Sequence, residues 1–537
     1  MFVKLLLLSW FFSGILEQIL FILSKFKMTS KKTIYLIILI STLIRVIVAC
    51  SMSLGNDEVY YLSYAHHLQW NYFDHPPLVT LLIKLTTFNL YFTSEFFIRL
   101  GPIILAGVNT FFIYKIGKKI KGERAGILAA LLFTSSLYSS IIAGIFILPD
   151  TPQLFFWILS IYCVLQIVVV HQAKSVVNRN LVYFGILVGC CIMSKVHAVF
   201  LWFGFGAYIL LFERQLFCNP YLYVSLLLTV FIASPIILWN IDNDFITYKF
   251  HSDRVVVKNG INFSSFIREV VGGAFYNNPI NSTIIAVGIT AFFKKKITID
   301  VSFQRILILM GLPLIVVLLA VSLFRDTLPH WSGPGYVSLI ILVSCYLSDV
   351  KKDSVILNWV YYANYFIVLI CFLGVLVINY FPGTMGDKQA SSLGKRDVTL
   401  DMYDWDFFKN EFSKLRNQDI LQKGYSSTFI VNNKWFPGAH VDNYIAQPLH
   451  LDYVGLGKLE DIHNYFWLNK TRRPLQRGDN AYFITFSNCY SDPKVLYRQY
   501  FKKINNPRVV VQTRGGYPAR KMFVYFLENY QGNFIIQ

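Results

Sequence analysis

The sequence predicts a polytopic α-helical membrane protein that ends in a small α/β domain. Three observations carry this expectation. Apolar runs of about 20 residues, long enough to cross a bilayer, recur through the first 380 positions. Charged residues make up 15% of the 537, well below the ~25% of soluble domains. After about Phe381 the composition turns polar and mixed, and no further run is long enough to span.

Taken in order, residues 1–27 form an additional N-terminal hydrophobic segment, and Met28 offers a second start. The first full span is Thr33–Leu54, preceded by Lys25, Lys27, Lys31 and Lys32. Leu78–Phe92 is shorter and reads as interfacial or re-entrant rather than spanning. Ten further spans follow: Phe96–Ile116, Ala125–Ile147, Gln153–Val170, Leu181–Met193, Val196–Leu211, Tyr221–Trp239, Phe275–Phe293 with a kink at Pro279, Ile306–Leu323, Pro334–Leu347 and Val355–Tyr380. That makes eleven, or twelve if the first apolar segment also crosses. A long polar loop, Asn240–Asn262, is expected between two of them.

The short Lys/Arg-rich loops all fall on one side, which the positive-inside rule makes cytoplasmic. The net charge of +19 is accounted for by these loops and implies no nucleic-acid partner. Residues 28–380 are thus one membrane domain and 381–537 an extracytoplasmic one. In the latter, Thr428–Asn432, Ala481–Phe486, Arg508–Gln512 and Lys521–Leu527 alternate as strands do. Asp404–Leu415 and Asp492–Phe501 read as helices. The eight cysteines show no zinc spacing and only Cys489 lies in the tail, so they are read as packing residues.

The stretch from Gly55 to Val79 is unlike its surroundings. It holds Asp57, Glu58 and Asp74, His66, His67 and His75, and the pair Pro76-Pro77, but no Lys or Arg. Acids beside a span are expected to bind or catalyse. Asp57-Glu58 reads as a general base toward an acceptor hydroxyl or as hard oxygen ligands for a divalent metal. The alternative is the cap of a helix over Glu58–Leu68.

Asp74-His75 before the two prolines reads as a metal or phosphate contact, or as a turn leading into a helix. Asp150, between Pro149 and Pro152, either joins the acidic cluster as a third metal candidate with Asp57 and Asp74 or caps a helix. Lys195 and His197 form an outward hinge between two spans. Lys195 there faces a lipid phosphate or snorkels to the interface. In Leu328-Pro-His-Trp-Ser-Gly-Pro-Gly335, His330 and the preceding Arg325 suit phosphate or sugar, and Trp331 suits stacking on a sugar; an interfacial aromatic belt is the alternative. No nucleotide-binding, serine-hydrolase or zinc-protease motif is visible. A membrane-borne activated substrate is then needed for chemistry on the outer face.

The ordered set of the DE pair, YFDHPPL, LPDTP, SKVHA and LPHWSGPGY resembles bacterial members of glycosyltransferase family 39. These are relatives of the dolichyl-phosphate-mannose protein mannosyltransferases and of the lipid A aminoarabinose transferase. The resemblance covers roughly residues 33–350. It implies a C-type glycosyltransferase fold and an inverting transfer of a single hexose or pentose from a polyprenyl (undecaprenyl) phosphate carrier. The acceptor it implies is lipopolysaccharide, lipid A or another surface glycolipid; a protein acceptor is the alternative, and a lipid-linked glycan flippase the reading from another class. On the family pattern Asp57 and Glu58 match the catalytic acids. Asp74, His75, Lys195, His197, Arg325, His330 and Trp331 line the substrate, and a divalent metal (Mg, Mn or Zn) is a candidate cofactor. The aminoarabinose branch commonly carries Lys where His75 stands, so either the substrate differs or His75 or Lys195 takes over phosphate contact. The implied location is the bacterial inner membrane, with the site and the C-terminal domain on the periplasmic face.

Overall fold

The structure is a computed structural model and describes residues 31–169, 173–255, 260–351, 353–425 and 427–532. The expected apolar segment 1–27 and the alternative start at Met28 lie outside the described residues. Helices α1 (Lys31–Cys50), α2 (Asn56–Ala65), α3 (Leu78–Thr86), α4 (Glu95–Lys121) and α5 (Glu123–Ser135) lead to a π-helical turn, Tyr138–Ile142. Next come α6 (Asp150–Ile167), α7 (Lys174–Ile192), α8 (Val199–Phe212), α9 (Pro220–Asp242), α10 (Ile246–Val255) and α11 (Phe263–Tyr276). The helical part closes with α12 (Pro279–Phe293), α13 (Val301–Ser322), α14 (Gly333–Asp349) and α15 (Val355–Tyr380).

The chain divides into two compact units: residues up to Ala49 with Trp70–Phe372, and Cys50–Gln69 with Leu373–Gln537. The segment bearing Asp57 therefore groups with the C-terminal region rather than with the helical bundle.

In the first unit, α4, α7, α9, α13, α14 with its preceding turn, and the two terminal helices α1 and α15 are long and apolar enough to cross a membrane. The other four expected spans fall on shorter or interrupted helices. Ala125–Ile147 stops being α-helical at Ser135. The run Thr134-Ser-Ser-Leu-Tyr-Ser-Ser140 turns its hydroxyls onto backbone carbonyls, Thr134 onto Ala130 and Ser140 onto Thr134, which favours a local break. Phe275–Phe293 is not one kinked span. It is the end of α11 and the whole of α12, broken at Asn277-Asn278. Asn278 sits at φ 69°, its side chain caps the Ile280 N–H, and Pro279 takes the first helical position, where its missing N–H costs nothing. The expected loop Asn240–Asn262 contains α10, started where the Asn240 amide oxygen accepts the Thr247 N–H at 3.2 Å.

Close helix crossings rest on small residues. Cβ atoms at Gly311 and Gly335 would come within 2.5 and 2.6 Å of each other's carbonyl oxygens, so α13 and α14 touch backbone to backbone. The main core runs through α6, α7, α8 and α13, with Trp157, Phe184, Phe205 and Leu314 fully buried.

The second unit is built on a six-stranded mixed sheet of β1 (Phe429–Asn432), β2 (Asp452–Gly455), β3 (Ala481–Phe486), β4 (Phe501–Ile504), β5 (Arg508–Arg514) and β6 (Tyr517–Tyr530). Its order is β2-β1-β3-β6-β4, with β5 also on β6. β1 is parallel to β2 and β3; β3 and β6 are antiparallel. All residues of β1 and β3 are buried, as expected of central strands. The four expected strands are present. The helix expected over Asp492–Phe501 shortens to Pro493–Tyr497, because Phe501 instead pairs with Tyr530 as the start of β4.

Candidate active site

The sequence-predicted residues fall into two groups, one in each unit. In the helical unit, the ends of several helices bring together residues distant in sequence. Asp150 opens α6, where the positive end of the helix dipole favours its charge. Lys195 follows α7 in extended backbone. Its ammonium spans both Asp150 oxygens, at 3.0 and 2.8 Å. The two residues are 2% and 4% exposed, so this is a buried ion pair. The Tyr138 hydroxyl donates to the same carboxylate at 3.2 Å.

Around the pair, the Trp331 ring lies 6.0 Å from the Lys195 ammonium and 5.4 Å from the His197 ring. His330 is within electrostatic reach of both Asp150 and Lys195, and packs edge-on to Tyr276 at 5.8 Å. The Asp74-His75 loop is held against this group from two sides. The Leu78 N–H donates to the Met193 carbonyl, and α10 clasps the loop through His251, whose Nε2 meets the Asp74 carbonyl at 2.8 Å. Burial, then the Lys195 ammonium and the His251 ring, hold His75 well below the usual imidazole range, so it is neutral at pH 7.

Two readings are corrected here. Asp150 does not cap its helix; Pro149 occupies that position. Lys195 does not snorkel to the interface but is buried with its acid. One nitrogen of this group, His197 Nδ1, keeps no hydrogen-bond partner among the described residues; elsewhere in the unit the same holds for the Nε and one Nη of Arg325. Lys195 has a third N–H beyond the two that Asp150 takes.

The expected metal candidates divide between the units, Asp74 and Asp150 in the first and Asp57 in the second. Among the described residues, no group of three or more His, Cys, Asp and Glu is arranged to hold a metal ion. At Asp150 the carboxylate is already paired with Lys195.

In the second unit, Glu58 is 2% exposed and its Oε2 accepts the Gly55 N–H at 2.8 Å, closing the first turn of α2. Asp57, beside it, is exposed. The segment leading to it is gripped by α16 (Trp405–Lys423), α17 (Trp435–Val441) and the turns around them. Leu54 gives its N–H to the Tyr444 hydroxyl at 2.8 Å and takes Nε2–H of His440 at 3.1 Å. His440 stacks on Trp405 at 4.2 Å. The Asn56 amide donates to Asp401 Oδ2 at 2.8 Å. Burial lifts the Asp401 carboxyl to about 6, with Asp397 and Asp57 adding to the rise against Arg520 and Asn56.

Sequence reasoning missed Tyr138, His251, Tyr276 and Asp401. Tyr138 sits inside an apolar run, and only the serine-rich interruption around it was visible. It also depends on Gly333, where a Cβ would come within 2.4 Å of its ring.

The fold is that of a multi-pass membrane protein of the C-type glycosyltransferase architecture. A family model described as dolichyl-phosphate-mannose-protein mannosyltransferase matches residues 74–239, inside the segment on which the family 39 resemblance rests. Among solved structures, the chain is similar to ArnT from Cupriavidus metallidurans in its apo state. The TM-score is 0.63 at 11% identity, covering 91% of this chain and 97% of that one. It is likewise similar to the same protein bound to undecaprenyl phosphate, with a TM-score of 0.64 at 12% identity, covering 92% and 98%. No curated protein sequence matches it.

Proposed function

We propose that the protein transfers a single sugar, with inversion, from a polyprenyl phosphate carrier to a surface glycolipid such as lipopolysaccharide, on the periplasmic face of a bacterial inner membrane. The observation that carries this reading is the buried Lys195–Asp150 pair with His330 and His197 beside it, the Nδ1 of His197 lacking a partner among the described residues. Such a site suits an anion that enters and leaves, not a permanent core.

The reaction follows from the residues. The bond from the sugar's anomeric carbon to the phosphate oxygen breaks, and its electron pair stays on the phosphate. Lys195, through its remaining N–H, together with Arg325 and the neutral rings of His197 and His330, donates to the developing charge. Asp150 fixes Lys195 in place and Tyr138 fixes Asp150. Trp331 offers a face for the sugar. The acceptor oxygen bonds to the anomeric carbon from the opposite side and gives its proton to a base, the role that the family resemblance assigns to Asp57. Glu58, tied to the Gly55 N–H, orients the turn that presents Asp57. The similarity to ArnT bound to undecaprenyl phosphate supports the carrier class.

The test is Asp57→Asn. Transfer should be abolished while expression and membrane insertion stay near normal; retained activity would move the chemistry elsewhere. Mass spectrometry of surface glycolipids from a strain lacking the gene should show one missing sugar, which names donor and acceptor together. A shift of that missing sugar to a surface protein would replace the glycolipid acceptor.

A further inference from the structure

A cavity of about 70 Å³ in the helical unit lies among α1, α5, the π turn and α15. Its walls are apolar, including Leu36, Ile37, Ile40 and Val368, but Arg45 also lines it. Arg45 is 2% exposed. Its Nε and one Nη meet the Ser140 carbonyl and hydroxyl at 3.4 and 3.1 Å. The other Nη is buried and has no partner among the described residues. No ion pair to Arg45 appears among the described residues either.

An arginine uncompensated inside a membrane-spanning helix is expensive and marks function. Holding the Ser140 carbonyl explains two of its nitrogens and leaves the third. Arg45 stands five residues before the end of α1, roughly 8 Å along the axis. The apolar stripe from Leu36 to Ile44 extends roughly 12 Å the other way. Leu36, Ile37 and Ile40 stay partly exposed, so the wall on that side is not sealed.

We infer that this cavity binds an anionic phospholipid of the bilayer, its phosphate on the free Arg45 nitrogen and one acyl chain along Leu36, Ile37 and Ile40. A cation at headgroup depth above an unsealed apolar slot matches that chemistry. The site also touches catalysis. Ser140, which Arg45 holds, shares the π turn with Tyr138, which holds Asp150. A bound lipid would therefore brace the turn that positions the Lys195–Asp150 pair, making Arg45 a positioning residue.

The experiment uses the full chain in detergent, with phosphatidylglycerol and phosphatidylcholine of identical acyl chains offered together and retention read by native mass spectrometry. The wild type should keep phosphatidylglycerol about tenfold better, the scale of one charge-assisted contact. Arg45→Gln should reduce that preference to near parity. Ile37→Trp, which fills the slot without touching Arg45, should reduce retention of both lipids. Equal retention of the two lipids by the wild type, or an unchanged preference in both variants, would overturn the inference. So would phosphatidylglycerol displaced by an equal amount of undecaprenyl phosphate, which would assign the cavity to the sugar carrier. Retention that appears only after residues 1–27 are removed would assign it to the chain itself.

Discussion

Removing the Lys195 charge separates the two roles its ion pair can play. Lys195→Met leaves the Asp150 carboxylate buried with only the Tyr138 hydroxyl, at 3.2 Å, to satisfy it. Breaking a buried pair in this way costs about 3–5 kcal/mol, because the remaining charge is stranded away from water. Replacing both partners, Lys195→Met with Asp150→Leu, removes the stranded charge, and such swaps are often neutral or stabilising. The single variant should therefore melt well below the wild type and the double variant close to it. Activity should behave differently. If the Lys195 N–H stabilises the departing phosphate, both variants lose roughly 10²–10³ in kcat, the usual effect of deleting one such donor. Thermal unfolding in detergent, followed by intrinsic fluorescence, measures the first quantity. Transfer from a labelled undecaprenyl-phosphate sugar measures the second. A double variant that is both stable and fully active would show that the pair is only a packing device, and the phosphate reading would fall.

Further outcomes follow from the same structure. Gly333→Ala would drive a methyl to 2.4 Å from the Tyr138 ring, so it should cost about 1–3 kcal/mol and lower transfer; Tyr138→Phe should keep the fold but weaken transfer, both read in the same assays. The second unit should show a nearly flat stability between about pH 4 and 6, where two opposite linkages offset each other. Burial holds His440 at about 3 against the ordinary 6.5, so its contribution is present above 6.5 and is lost as pH falls. Asp401 is raised to about 6 from 3.8, so its contribution is present below 3.8 and is lost as pH rises through 6. Asp401→Asn removes the second slope, and unfolding should then weaken by about 1.4 kcal/mol per unit on acidification. An unchanged flat profile in that variant would contradict the assignment.

The membrane class, the helix-rich order and the α/β tail were legible because hydropathy and strand alternation are local properties, set by a few neighbouring side chains. The motif residues His75, Asp150, Lys195, His197, His330 and Trp331 were legible too, as polar groups placed where an apolar chain gains nothing from them. Their roles were not. Asp150 reads equally as a cap, a ligand or an ion-pair partner until Lys195, 45 residues away, is placed against it. The break at Asn277-Asn278 was hidden because both flanking stretches are apolar; only the buried Asn278 side chain, reaching the Ser135 and Ala363 carbonyls, settles it. Glu58 likewise closes the first turn of its own helix, a bond that leaves its catalytic candidacy open. What the sequence determined by itself is which residues must leave water and which must not. Which charges meet was decided only by tertiary structure, since the pairing of a buried ion depends on partners that chain distance does not reveal.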